Sequence, residues 1–133
     1  MRGRSPNTWL WAMVAVAAFA WAMIGVVFAS LGPAALVPHV FHNLHAEHFC
    51  AFYALAILAA AGLPRARLWL IVLALCAVAA ALALVRLTMP VHRLPAAEDF
   101  LADVAGALAA VVPMLVGRFR AQASPPTTGR EPA

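Results

Sequence analysis

The sequence predicts an all-α fold, an integral membrane bundle of about four antiparallel transmembrane helices. Composition is the first observation, since 65% of the 133 residues are hydrophobic, 11% are charged, and the mean hydropathy is +0.91. A soluble domain carries roughly 25% charged residues, and so small a chain cannot bury this much apolar surface within itself. The second observation is that the apolar residues form four long runs separated by polar turns. We therefore expect the lipid bilayer to cover most of the surface.

Each apolar run is predicted to form one transmembrane helix, over residues 9–31, 47–63, 68–85 and 99–116. A cleaved signal peptide is the competing interpretation of the first run, with Phe28-Ala29-Ser30 as a cleavage site. The h-region of a signal peptide is only about 7–15 residues long, so we expect this helix to be retained. Residues 1–8 are then a cytoplasmic N-terminus, 9–120 a single four-helix domain, and 121–133 a disordered cytoplasmic tail.

The arginines predict the orientation of the bundle. The chain has no lysine, and its arginines lie mostly in pairs beside the apolar runs. These pairs are Arg2 with Arg4, Arg65 with Arg67, and Arg118 with Arg120. Placing both termini and the turn at 64–67 in the cytoplasm leaves only Arg86 and Arg93 outside, as the positive-inside rule requires. The prediction is N-in and C-in, and the scattered pairs give no basic face for nucleic acid.

With this topology, polar side chains from two separate loops meet at the outer face. The first loop contributes His39, His42, His45, Glu47 and His48, and the second contributes Arg86, His92, Arg93, Glu98, Asp99 and Asp103. Complementary charges on one side of the membrane indicate a common site. The candidate binding residues are His48, Arg86, Arg93, Asp99 and Asp103, and no residue is assigned a catalytic role.

Asp103 is the most informative member of this set, because it lies one turn inside an apolar helix. A carboxylate at that depth needs a partner or water. Helical spacing places Asp99, Asp103, Gly106 and Ala110 on one face, which we expect to pack against protein. We predict that Asp103 is ionised and paired with Arg86 first and Arg93 second. A purely structural role and a role in binding or chemistry both remain open.

No metal or other cofactor is expected. The histidines at 39, 42, 45 and 48 are spaced by three residues, a spacing that drifts by about 60° per step on an α-helix and does not converge on one ion. Cys50 and Cys76 lack CxxC spacing and are predicted to be two small buried apolar side chains. Nothing in the sequence resembles a phosphate-binding loop or a dinucleotide fingerprint.

Two groups of residues resemble the signature of the VanZ-like family of small bacterial membrane proteins. The first is His48-Phe49 followed by Phe52-Tyr53, and the second is Pro90, Arg93, Asp99, Asp103 and Gly106. The resemblance covers residues 45–116. Asp103 replaces the asparagine of the family pattern, His45 replaces a lysine, and the usual glutamate and glutamine before Pro90 are absent.

The resemblance implies a multi-pass protein of the bacterial cytoplasmic (inner) membrane. The best-known namesake of the family is associated with resistance to the glycopeptide antibiotic teicoplanin. Three functions are consistent with this class. We favour binding of an anionic or lipid-linked envelope component, with Arg86 and Arg93 on phosphate and His48 as a donor. The alternatives are an enzyme acting on a lipid through His48 and Asp99 or Asp103, and a structural subunit docked on a membrane-protein partner.

Overall fold

A computed structural model describes residues 6–32, 36, 43–89 and 96–123, and these residues form four α-helices. They are α1 (Pro6–Leu31), α2 (Leu44–Gly62), α3 (Leu68–Thr88) and α4 (Ala96–Ala123). Each is long and apolar enough to cross a bilayer. The described residues contain no strand. The predicted all-α, four-helix membrane bundle is confirmed.

The helices extend beyond the apolar runs that predicted them, because capping and helix propensity set their ends. Helix α2 begins at Leu44, where the side chain of Asn43 accepts a hydrogen bond from the backbone N–H of His45 at 3.0 Å. Helix α1 begins at Pro6, a residue favoured in the first turn. Helix α4 continues to Ala123, three residues into the predicted tail. The rest of that tail and residues 1–5 lie outside the described part.

The centre of the bundle is the contact between α2 and α4, the most extensive of the helix pairs. Phe52 and Leu55 of α2 are fully buried there, together with Ala107 and Ala110 of α4. A Cβ atom added to Gly106 would collide with the backbone carbonyl of Phe49. Glycine at this position therefore allows the two backbones to touch. As predicted, this face of α4 packs against protein.

Helix α1 lies at the periphery, against α2 and, less extensively, α3. Most of its large apolar side chains are exposed, including Trp11 and Trp21, which are 72% and 75% exposed, while Phe19 and Met23 pack against the core. A surface this apolar in water would be an aggregation site, whereas the acyl chains of a bilayer cover it without penalty. The exposure of α1 is what a membrane-spanning peripheral helix requires.

The antiparallel arrangement gives the bundle two chemically different ends. One end, here called the polar end, holds the last residues of α1 and α3 and the first residues of α2 and α4, linked by hydrogen bonds of Arg86 to Ser30 and Asp99. The opposite end holds the α2–α3 turn, with the exposed side chains of Arg65 and Arg67. All acidic residues of the described part lie in the first two turns of α2 and α4, at the polar end.

Cysteine labelling is expected to show that the polar end faces outward. In a variant with Cys50 and Cys76 replaced by alanine, Leu94→Cys should react with a membrane-impermeant maleimide added to intact cells, and Ala66→Cys should react only after permeabilisation. Leu94 lies outside the described residues, so Met89→Cys at the end of α3 serves as a second reporter. Labelling of Ala66→Cys in intact cells would overturn the positive-inside assignment.

Candidate functional site

Six charged or titratable side chains from three helices form a connected network at the polar end. This network, the polar cluster, consists of His45 and His48 from α2, Arg86 from α3, and Glu98, Asp99 and Asp103 from α4. Helix α1 joins it through the backbone carbonyl of Ser30. The cluster therefore ties all four helices together at one end.

Arg86 is the centre of the cluster. Its Nη1 atom donates to Asp99 Oδ2 at 2.7 Å, and its Nε atom donates to the carbonyl oxygen of Ser30 at 3.2 Å. Its Nη2 atom lies 3.4 Å from Nε2 of His48. The side chains of Arg86 and Asp99 are each 16% exposed. At this partial burial, each charge depends on the other for compensation.

His48 and Asp103 form the deepest pair. The His48 Nδ1 and Asp103 Oδ1 atoms are 2.9 Å apart, and only 5% of the Asp103 side chain is exposed. A neutral imidazole satisfies both of its contacts when Nδ1–H donates to Asp103 and Nε2 accepts from Arg86. This tautomer is assigned from the partners. It gives both ring nitrogens of His48 a matching neighbour.

The expected pairing of Asp103 with Arg86 is wrong. Arg86 lies near the end of α3, at the level of Asp99, and Asp103 is one turn deeper along α4. At that depth the nearest polar side chain comes from α2, which approaches α4 closely because of Gly106. The second predicted partner, Arg93, lies outside the described residues.

His45 and Glu98 form the outer edge of the cluster, and the predicted site did not include them. His45 Nε2 lies 3.1 Å from Glu98 Oε2, and His45 Nδ1 lies 3.2 Å from Asp99 Oδ1. The two side chains are 45% and 61% exposed. Sequence did contain a signal, since His45 precedes His48 by one helical turn and so lies near it on the surface of α2.

Of the five predicted site residues, the structure brings together His48, Arg86, Asp99 and Asp103. Among the described residues, no group of three or more His, Cys, Asp or Glu side chains is arranged to hold a metal ion. His39, His42 and His92 lie outside that part of the chain. Cys50 and Cys76 are free thiols, but the prediction that both are buried is wrong. Cys50 lies on the exposed face of α2, where an apolar thiol can face lipid.

Burial decreases outward through the cluster, from Asp103 through His48, Arg86 and Asp99 to His45 and Glu98. The inner groups are fixed by neighbours, and the outer groups are accessible to a molecule arriving at the membrane surface. One arginine faces three carboxylates and two imidazoles. The arrangement can therefore donate from Arg86, accept at the rim carboxylates, and move a proton at either histidine.

Fold and site together define the class as a multi-pass helical membrane protein with a polar network at one end. Comparisons with family models, curated proteins and solved structures found no match to this chain. The function is therefore inferred from the chemistry of the polar cluster.

Proposed function

We propose that this chain is a VanZ-like protein of the bacterial cytoplasmic membrane whose polar cluster binds a phosphate-bearing lipid headgroup or lipid-linked envelope precursor. The observation that carries the proposal is the placement of Arg86. Its guanidinium is held by Ser30, His48 and Asp99 at the end of an apolar bundle, yet its side chain keeps 16% of its surface open. A fixed and accessible guanidinium at headgroup depth suits a phosphate oxygen.

The hydrogen-bonding capacity of Arg86 leaves room for such a ligand. Of the five N–H donors of a guanidinium, three have partners in the cluster, at Ser30, Asp99 and His48. The remaining donors on Nη1 and Nη2 can meet a phosphate oxygen. Arg93, which the sequence places in the neighbouring loop, would supply a second cation.

The carboxylates of Glu98 and Asp99 indicate which other chemical groups the headgroup carries besides phosphate. Glu98 and Asp99 beside the phosphate position would repel a bare anion. They would accept hydrogen bonds from hydroxyl or ammonium groups attached to the same headgroup. The ligand class is therefore a phosphate that also bears amine or sugar hydroxyl donors, as a zwitterionic or glycosylated lipid does.

An enzyme acting on a lipid is the second candidate, favoured by the His48–Asp103 pair. A carboxylate 2.9 Å from Nδ1 fixes the imidazole in one orientation and tautomer. The Nε2 lone pair then faces Arg86, at the position where we place the headgroup phosphate. If the hydroxyl of a bound lipid replaced the Arg86 contact at Nε2, this histidine would be its general base, so the two candidates share the same site.

Lipid retention tests the binding proposal. Native mass spectrometry of protein purified in mild detergent should show a retained phospholipid. Arg93→Ala should weaken its binding at least roughly tenfold, since a charge-assisted hydrogen bond contributes about 1.5–3 kcal/mol. His48→Gln should also weaken it, because the imidazole that helps to hold the Arg86 guanidinium in place is lost. Arg67→Ala, at the opposite end, is the matched control and should leave this lipid in place.

Equal lipid retention in the wild type and in the Arg93→Ala, His48→Gln and Arg67→Ala variants would contradict binding at the polar cluster. It would favour a structural role or a docked protein partner. Turnover of the retained lipid by wild-type protein, abolished in His48→Ala, would replace the binding proposal with the enzymatic one. Retention without turnover supports the binding proposal.

A further inference from the structure

An apolar groove lies at the opposite end of the bundle, between the first half of α1 and the α2–α3 turn. This α1 groove encloses about 850 Å³ and is lined mainly by α1 side chains, closed on the other side by Gly62, Pro64 and Arg65. Ligand pockets in proteins span about 300–1,000 Å³. The groove is large enough for a lipid acyl chain.

Residue size explains why the groove is open. A Cβ atom added to Gly62 would lie 2.8 Å from Cγ2 of Val16, so α1 and α2 are already in tight contact at that point. Beside this contact, α1 presents Ala12, Ala17 and Ala20 to the groove. Alanine at these positions leaves space that larger side chains would fill.

The mouth of the groove is positively charged. Arg65 lines it and is exposed, and Trp9, which is 52% exposed, lies on the α1 side. Tryptophan and arginine are typical of the membrane interface. Within the described residues, every acidic side chain lies at the polar end, so none opposes an anion here.

We propose that the α1 groove binds one acyl chain of an anionic phospholipid whose phosphate lies against Arg65. The groove and the bilayer interior are equally apolar surroundings for an acyl chain, so moving the chain from the bilayer into the groove gains little free energy. Selectivity for this lipid comes from the phosphate and its negative headgroup, which Arg65 attracts. The site shares no residue with the polar cluster and does not depend on the function proposed for it.

Competition between two lipids with identical chains tests the site. Full-length protein in nanodiscs or mild detergent is offered equal amounts of dioleoyl phosphatidylglycerol and dioleoyl phosphatidylcholine, and bound lipid is counted by native mass spectrometry. Wild-type protein should prefer phosphatidylglycerol, and Arg65→Gln should reduce that preference roughly fivefold, since an arginine near an anionic headgroup contributes about 1 kcal/mol. Arg67→Gln, in the same turn but outside the groove, is the charge-matched control.

Filling the groove gives an independent readout. Ala12→Phe should reduce retention of both lipids, whereas Ala77→Phe on the exposed face of α3 should not. The proposal is overturned if Arg65→Gln and Arg67→Gln lose the preference equally, because general surface charge would then be responsible. An unchanged preference in Arg65→Gln also overturns it. The proposal is also overturned if the wild-type spectrum shows a protein dimer that is lost in Ala12→Phe, because a second copy of the chain would then occupy the groove.

Discussion

Replacing Arg86 by alanine is expected to lower the free energy of unfolding by about 3–5 kcal/mol, the usual cost of removing one partner from a buried ion pair. Arg86 compensates Asp99 at 2.7 Å and also contacts Ser30 and His48. Without it, the three carboxylates of the polar cluster have no arginine partner from the described residues. Reversible unfolding in mixed detergent micelles, followed by circular dichroism, measures the loss.

A second substitution identifies the source of that loss. Adding Asp99→Asn to Arg86→Ala removes the uncompensated charge and should recover part of the stability. Arg86→Lys keeps the positive charge and should retain part of the stability. It should remain less stable than wild type, because a flexible ammonium group does not reproduce the planar guanidinium that contacts Ser30, His48 and Asp99 together. Arg67→Ala, exposed in the α2–α3 turn, is the control and should be neutral. An Arg86→Ala protein as stable as wild type would show that the network contributes nothing to the fold.

Replacing Gly106 by leucine is expected to cost about 3 kcal/mol, at the upper end of overpacking effects. A side chain there meets the backbone of Phe49, which cannot rotate away as a side-chain tip can. The α2–α4 contact, the most extensive in the bundle, would have to separate. Separation also moves His48 away from Asp103, so the polar cluster should be lost together with the packing.

Gly25→Leu is the matched control for this change. Gly25 also lies inside a transmembrane helix, but nothing is within 4 Å of a Cβ added there. The Gly25→Leu protein should be as stable as wild type or slightly more stable, since leucine is the better helix former. If both leucine variants unfold alike, glycine at 106 is not needed for the close approach of α2 and α4.

The number of helices could be predicted from sequence because the bilayer imposes one simple requirement, a long run of apolar residues. The helix ends could not, because polar residues such as Asn43 extend α2 by capping it beyond the apolar run. Asp103 could be placed on a protein-facing side because its helical spacing from Gly106 and Ala110 was readable.

The hydrogen-bond partner of Asp103 could not be predicted from the sequence. Opposite charge alone favoured Arg86, yet which side chain meets Asp103 depends on how deep each helix sits in the bundle. That depth is set by the contact of Gly106 with the Phe49 backbone, which places His48 beside Asp103 and leaves Arg86 to Asp99. Spacing along one helix carries no information on register between two helices.

The inner and outer parts of the polar cluster can be expected to differ in function. Asp103 and His48 are the most enclosed and hold α2 to α4, whereas His45 and Glu98 are open at the rim. Substitution at the rim, such as Glu98→Gln, should therefore change which headgroup binds while leaving the bundle folded. This separation allows ligand binding to be measured without loss of the fold.

A contact between a headgroup phosphate and His48 tests the proposed function most directly. All five histidines of the chain lie at residues 39–48 or 92, so protein labelled with ¹⁵N in its histidine rings reports on the polar-end loops and their helices alone. In nanodiscs, solid-state recoupling between these nitrogens and lipid ³¹P should give a histidine signal that disappears in His48→Gln. Absence of any histidine–phosphorus coupling, or a coupling unchanged in His48→Gln, would contradict headgroup binding by the polar cluster.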